Sequence, residues 1–134
     1  MKLTLNNGNT IDQLGLGVYK VAQDEAVNLM REAIDVGYRR IDTAALYGNE
    51  AEVGQGIRES GIDREEIFVT TKIWNDRQGY NESLKAIDES LARLDLGYVD
   101  LLLIHWPSPA QDLYIDTWKA FEKVLSDGLV RNIG

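Results

Sequence analysis

The sequence has no cysteine and a single histidine among its 134 residues. Without thiols there is no disulfide, no thiolate metal site and no cysteine nucleophile. One imidazole, with carboxylates scattered along helical stretches, cannot build a usual zinc site, so no metal is expected. Long apolar runs are missing as well. None approaches the roughly 18 residues of a membrane span, and Met1-Lys2-Leu3-Thr4-Leu5 lacks the apolar centre of a secretory signal. Basic residues are outnumbered, 14 against 22 acidic ones, for a net charge of −8. No Lys/Arg cluster interrupts that balance. Neither a nucleic acid nor a membrane is therefore expected as a partner, and the cytoplasm is the simplest location. The charges of Arg58-Glu59 and Asp63-Arg64-Glu65-Glu66 read as a solvated face.

What is present suits one globular domain over residues 1–134, with 44% apolar and 27% charged residues and enough length to bury a core. Residues 2–5 alternate, 6–9 (Asn-Asn-Gly-Asn) turn, and 10–11 pair back, so residues 1–13 read as a capping hairpin. Residues 14–18 read as a short buried strand whose glycines permit close approach. The pattern is not a phosphate-binding fingerprint, since the third glycine and the opening helix are absent. Asp24 is the expected cap of a helix ending near Gly37, with Ala26, Leu29, Met30, Ala33 and Ile34 on its apolar side. Residues 38–42 make a strand. Asn49 is the expected cap of a helix to about Glu59, with Ala51, Val53 and Ile57 inward. Residues 67–72 make a β-branched strand. Residues 81–94 make a helix with Leu84, Ile87, Leu91 and Leu94 on one face. Residues 99–105 make an almost continuous apolar strand, as in sheets covered on both sides. A helix over about 112–127, with Trp118, Phe121, Val124 and Leu125 inward, ends at Gly128. Residues 129–134 read as a fifth strand. The order predicts an α/β fold: a hairpin, then β-α units in a parallel sheet with right-handed crossovers.

Asp42, Tyr47, Lys72 and His105 each stand at or just past the end of a predicted strand. In a parallel α/β barrel such positions converge on one mouth, where chemistry is done. Singly, each has a plainer explanation. Asp42 can open a turn, Tyr47 can be a packed ring with a wet hydroxyl, Lys72 can be a surface lysine and His105 a structural imidazole. Trp74 and Trp106 can be rim packing. Together, an acid, a phenol, an amine and an imidazole read as proton-transfer equipment.

Several stretches carry a more specific signal: Leu14-Gly15-Leu16-Gly17-Val18-Tyr19-Lys20, Gly37-Tyr38-Arg39-Arg40-Ile41-Asp42-Thr43-Ala44, Leu46-Tyr47-Gly48-Asn49-Glu50, Thr70-Thr71-Lys72-Ile73-Trp74, Leu103-Ile104-His105-Trp106-Pro107 and Gly128-Leu129-Val130-Arg131-Asn132-Ile133-Gly134. In order and spacing they resemble the aldo-keto reductase family, with the flavour of its bacterial 2,5-diketogluconate reductase-like branch. The resemblance implies a (β/α)8 TIM barrel that moves a hydride from NADPH to an aldehyde or ketone. It maps the family's catalytic residues onto Asp42, Tyr47, Lys72 and His105. Tyr47 would give a proton to the carbonyl oxygen, and Lys72 beside it would make the phenol a better acid. Asp42 would hold Lys72, and His105 would fix the substrate oxygen. It also implies a substrate pocket of Tyr19, Leu46, Trp74 and Trp106, and a nicotinamide near Gly17, Val18 and Asp42.

Four β-α units and a fifth strand make the N-terminal half of such a barrel. The resemblance places most of the grip on NADPH in segments beyond the fifth strand. A half-barrel leaves unpaired edge strands and apolar surface, so a homo-oligomer or a C-terminal half is expected as partner. Two functions follow as alternatives. One is carbonyl reduction on a small substrate. The other is a catalytically inactive, self-associating half-barrel fragment or folding unit.

Overall fold

The computed structural model describes residues 1–134. The hairpin forms as its turn demands: β1 (Lys2–Thr4) pairs antiparallel with β2 (Thr10–Asp12), Leu3 opposite Ile11. The Asn7 and Asn9 side chains donate to Asn132 Oδ1 at 2.7 and 2.9 Å, tying the hairpin to the far end of the chain.

Four parallel strands follow in sequential order: β3 (Leu16–Gly17), β4 (Arg40–Asp42), β5 (Phe68–Ile73) and β6 (Leu101–Ile104). Register is fixed by Ile41 opposite Leu16 and Val69, and by Lys72 opposite Leu103. Each crossover carries a helix: α1 (Gln23–Asp35), α2 (Glu50–Glu59) and α3 (Tyr80–Leu94), with α4 (Tyr114–Ser126) after β6. Right-handed crossovers between sequential strands put all of them on one face of the sheet. The result matches half of a TIM barrel.

The strands are shorter than the sequence suggests, and the reasons are local. Residues before β4 are used to stop α1: Tyr38 N–H donates to the Ala33 carbonyl and Gly37 N–H to that of Ile34, with Gly37 at φ +105°. That is a Schellman ending, and it leaves only Arg40 to Asp42 for the ladder. The expected fifth strand makes two isolated parallel bridges, Val99 to Val130 and Leu102 to Ile133. Nothing pairs with its other side, so it has half a ladder.

Caps differ too. Ala22, not Asp24, precedes α1, and Asp24 lies in the first turn where its charge suits the helix dipole. Asn49 does occupy the cap position of α2, but its side chain makes no capping bond. The α4 helix starts at Tyr114 because Asp112 is held at φ +53°.

The core lies between sheet and helices. Met30, Ile41, Val53, Ile57, Val69, Ile87, Leu94, Leu102 and Phe121 are almost completely buried within it. Each such side chain contributes about 1.5–3 kcal/mol relative to exposure. The middle helix sits tightly because it carries glycines. A Cβ at Gly54 would run into the Leu94 carbonyl, and one at Gly56 would lie 2.7 Å from the Val27 carbonyl. Three inward assignments fail. Ala51 is exposed, and Trp118 and Leu125 are 37% and 36% exposed. The buried stripe of α4 is Thr117, Ala120, Phe121 and Val124, at helical spacing. Trp118 and Leu125 each lie one residue past that stripe, about 100° around the helix.

Candidate active site

Strand pairing brings three of the four groups together. Asp42 ends β4 and lies opposite Thr70 on β5. Two residues on, Lys72 projects from the same face. His105 follows β6 two residues after Leu103, the partner of Lys72, and its N–H donates to the Ile73 carbonyl at 3.2 Å. Tyr47 arrives from a 3-10 turn, Ala45–Tyr47, closed by Gly48 at φ +69°.

The Lys72 ammonium is the centre. It donates to Asp42 Oδ1 at 2.5 Å, to the Thr43 carbonyl at 2.9 Å and, more weakly, to Tyr47 OH at 3.4 Å. An ammonium has three donors, and here all three are directed. Since the Tyr47 oxygen accepts from Lys72, its own proton is free to go to another acceptor. The Lys72 and Asp42 side chains are only 11% and 29% exposed, which strengthens their attraction relative to a surface pair.

His105 completes the cluster, its ring edge-on to Tyr47 at 5.8 Å and to Trp74 at 4.9 Å between centroids. Burial pushes its pKa below the usual 6.5, and the Lys72 charge pushes the same way, against a smaller pull from Asp42. The ring is therefore neutral at pH 7. Its Nδ1 is buried without a partner. Placing the single ring proton on Nε2 avoids a buried N–H with nothing to bond.

The expected pocket residues surround this cluster unequally. Tyr19 packs at a tilt against Tyr47, 5.0 Å between centroids, yet is 60% exposed, and Leu46 and Trp106 are 45% and 59% exposed. Gly17 borders open space beside Asp42, with nothing within 4 Å of where a Cβ would stand. Val18 differs: its side chain is fully buried in the core. Only its backbone is left to meet a ligand.

Sequence reasoning missed the polar groups behind the cluster. Asn49 is fully buried, donating to the Val18 and Val21 carbonyls at 3.0 and 3.2 Å and accepting from Thr43 Oγ1 at 2.9 Å. It thus grips both sides of Tyr19 and the residue whose carbonyl holds Lys72. Glu50, also buried, accepts from Thr71 at 2.5 Å, Ser90 at 3.2 Å and Arg93 at 2.8 Å, joining α2, β5 and α3. The only signal for either was its place directly after Tyr47-Gly48.

The main grooves lie elsewhere. A polar groove of about 680 Å³ runs between the carboxyl ends of α1 and α2, lined by Arg31, Glu32, Asp35 and Glu59 among others. It holds none of the four groups. No three His, Asp or Glu side chains are grouped to hold a metal ion. No helix is long and apolar enough to cross a membrane.

Residues 11–134 match the Aldo/keto reductase family. The glyoxal reductase of Bacillus subtilis is 53% identical over 131 residues, 97% of this chain and 47% of that protein. Among solved structures, an aldo/keto reductase from Brucella melitensis superposes with a TM-score of 0.96 at 54% identity, over 100% of this chain and 52% of that one. A Bombyx mori aldo-keto reductase in complex with NADP gives 0.91 at 40% identity, over 100% of this chain and 49% of the other. The chain spans about half the length of the curated relatives it matches.

Proposed function

The chain belongs to the aldo/keto reductase family, and we propose that it carries the proton-transfer half of an NADP(H)-dependent carbonyl reductase. The observation that supports this best is the directed Lys72 ammonium, which touches Asp42 and the Tyr47 oxygen at once. Tyr47 gives its proton to the substrate's carbonyl oxygen. The phenolate left behind is stabilised by Lys72, whose charge is balanced by Asp42. His105, neutral, offers its Nε2 hydrogen to the same substrate oxygen and sets its angle. Bound NADPH would supply the hydride to the carbonyl carbon and leave as the oxidised cofactor. Bare Gly17 leaves open space beside Asp42, room for the reactive end of such a cofactor. A small carbonyl compound is the substrate class we assign, in line with the glyoxal reductase relative.

The test is an NADPH titration of the chain followed by tryptophan fluorescence, then turnover with glyoxal. Trp74, against His105, is the nearest reporter. Saturable quenching at micromolar cofactor, with turnover lost in Tyr47→Phe, supports the reading. No quenching at millimolar NADPH removes it for this chain.

A second reading, a self-associating half-barrel, is favoured by a different observation. Ile115, Trp118 and Leu125 form an exposed apolar stripe on α4, and β3 is an unpaired edge. Sedimentation equilibrium decides it: a monomer across micromolar concentrations rules it out.

A further inference from the structure

The ladder holding the β6 end stops at His105, whose N–H reaches the Ile73 carbonyl. Residues 106–112 follow as an exposed loop. Ser108 and Asp112 both sit in the left-handed region, at φ +45° and +53°, which costs energy for residues other than glycine. The loop's own bonds are two short turns, Gln111 to Ser108 and Asp112 to Pro109. One hydrogen bond reaches it from another element: Gln78 Nε2 donates to the Trp106 carbonyl at 2.7 Å.

Gln78 belongs to the loop after β5, which carries Trp74. It is only 5% exposed, and its Oε1 is buried with no partner. Burying an amide with half its capacity unused is costly. Filling the gap with an apolar side chain would be cheaper, unless the remaining bond has a task. The bond joins the loop that bears Trp74, edge-on to His105, to the loop that opens with Trp106. We propose that Gln78 is a positioning residue that pins the Trp106 loop to the Trp74 loop and so sets the width of the substrate wall. The meaning of that wall rests on the carbonyl-reductase reading above, but the pin itself does not.

The fold should survive its loss, because the same region is anchored separately. Gly79 N–H donates to Thr117 Oγ1 at 2.8 Å and Ser83 Oγ to the Arg77 carbonyl at 3.0 Å. The experiment is amide hydrogen exchange by mass spectrometry on the ligand-free chain, comparing Gln78→Leu and Gln78→Met with the unchanged protein. Both remove the donor without adding a charge, and Met keeps the length. Exchange over residues 106–112 should accelerate roughly fivefold, the scale of one lost neutral hydrogen bond. Residues 42–47 and α3 should not change. Equal acceleration everywhere would mean Gln78 serves global stability only, and no change in 106–112 would mean it merely fills space. Either overturns the proposal. With turnover in hand, KM for benzaldehyde should rise more than KM for glyoxal, at unchanged kcat. A fall in kcat with KM unchanged would overturn the assignment to the wall. Failure to bind NADPH would remove the reductase reading and leave the exchange result standing.

Discussion

The two ends of one sheet spend their polar groups differently. At the amino ends of the strands, Arg64 and Asp100 pair at 2.8 Å with side chains 19% and 15% exposed. Most of their remaining capacity goes to the backbone, and Arg64 Nε is left buried without a partner. Arg64 donates to the Ile67 and Tyr98 carbonyls, and Asp100 accepts from Val69 N–H. The Tyr98 ring lies between the Arg64 and Arg131 guanidiniums, at 3.9 and 4.3 Å. At the carboxyl ends, the Lys72–Asp42 pair is closer still, at 2.5 Å, but the groups around it are unfinished. Its third bond, to Tyr47, is long, the Tyr47 proton is uncommitted and His105 Nδ1 has no partner. The first cluster is tied into backbone carbonyls and an amide and holds the fold, with Arg64 Nε its one orphan. The second gathers an uncommitted phenol proton and a ring nitrogen around one ammonium, groups that a ligand can meet.

The largest expected effect separates the ends by activity. Tyr47→Phe should lower turnover by roughly 10²–10⁴-fold, the usual range for a lost general acid, with melting temperature nearly unchanged. A comparable loss from Arg64→Ala, per folded molecule, would break the comparison. Conversely, Arg64→Ala should destabilise by roughly 3 kcal/mol, because half-buried Asp100 loses its partner. Urea denaturation measures this, and cofactor quenching should be unaltered in the fraction that stays folded.

A third test sits between the ends. Asn49→Ala removes the donors to Val18 and Val21 and the acceptor for Thr43. It leaves the Val18 and Val21 carbonyls without these donors and should cost about 2 kcal/mol. It should also loosen Tyr19 against Tyr47. If NADPH affinity and turnover survive that loss, the brace matters to the fold alone.

How much of this could be read from the chain depends on the range of each interaction. Parallel α/β order was legible because apolar spacing is local: the stripes Ala26-Met30-Ala33 and Ile87-Leu94 are buried as periodicity requires. The cluster was legible because topology alone sends consecutive strand ends to one mouth. Asn49 was read as a cap because that is the common use of asparagine before a helix, whereas its three partners lie 6 to 31 residues away. Glu50 looked like an ordinary first-turn acid, since nothing nearby in sequence announces Ser90 or Arg93. Trp118 and Leu125 misled because a one-residue error in phase moves a side chain about 100° around a helix. Val18, at a strand end beside a glycine, faced the core rather than the mouth.

The smallest expected effect is a pH dependence that only the mouth should show. The folded chain holds His105 below its ordinary value of 6.5 by burial first and by Lys72 second. The unfolded chain takes up that proton near 6.5, where the folded chain still refuses it. Protons bound on unfolding therefore rise as pH falls, and stability falls with them. The contribution is fully present above pH 6.5 and is lost as pH drops through 6.5 toward the lower folded value. His105→Gln, neutral at every pH, should flatten this slope between about pH 7 and 5 in urea midpoints, while carboxylates such as Glu82 and Glu89, held below the usual carboxylate value by hydrogen bonds from Lys85 and Arg77, stay charged. An unchanged slope in His105→Gln would mean the imidazole is solvated at the mouth and takes protons freely. A neutral Nε2 donor would then be lost to the reaction at mildly acidic pH, and the division between a closed floor and an open mouth would no longer rest on His105.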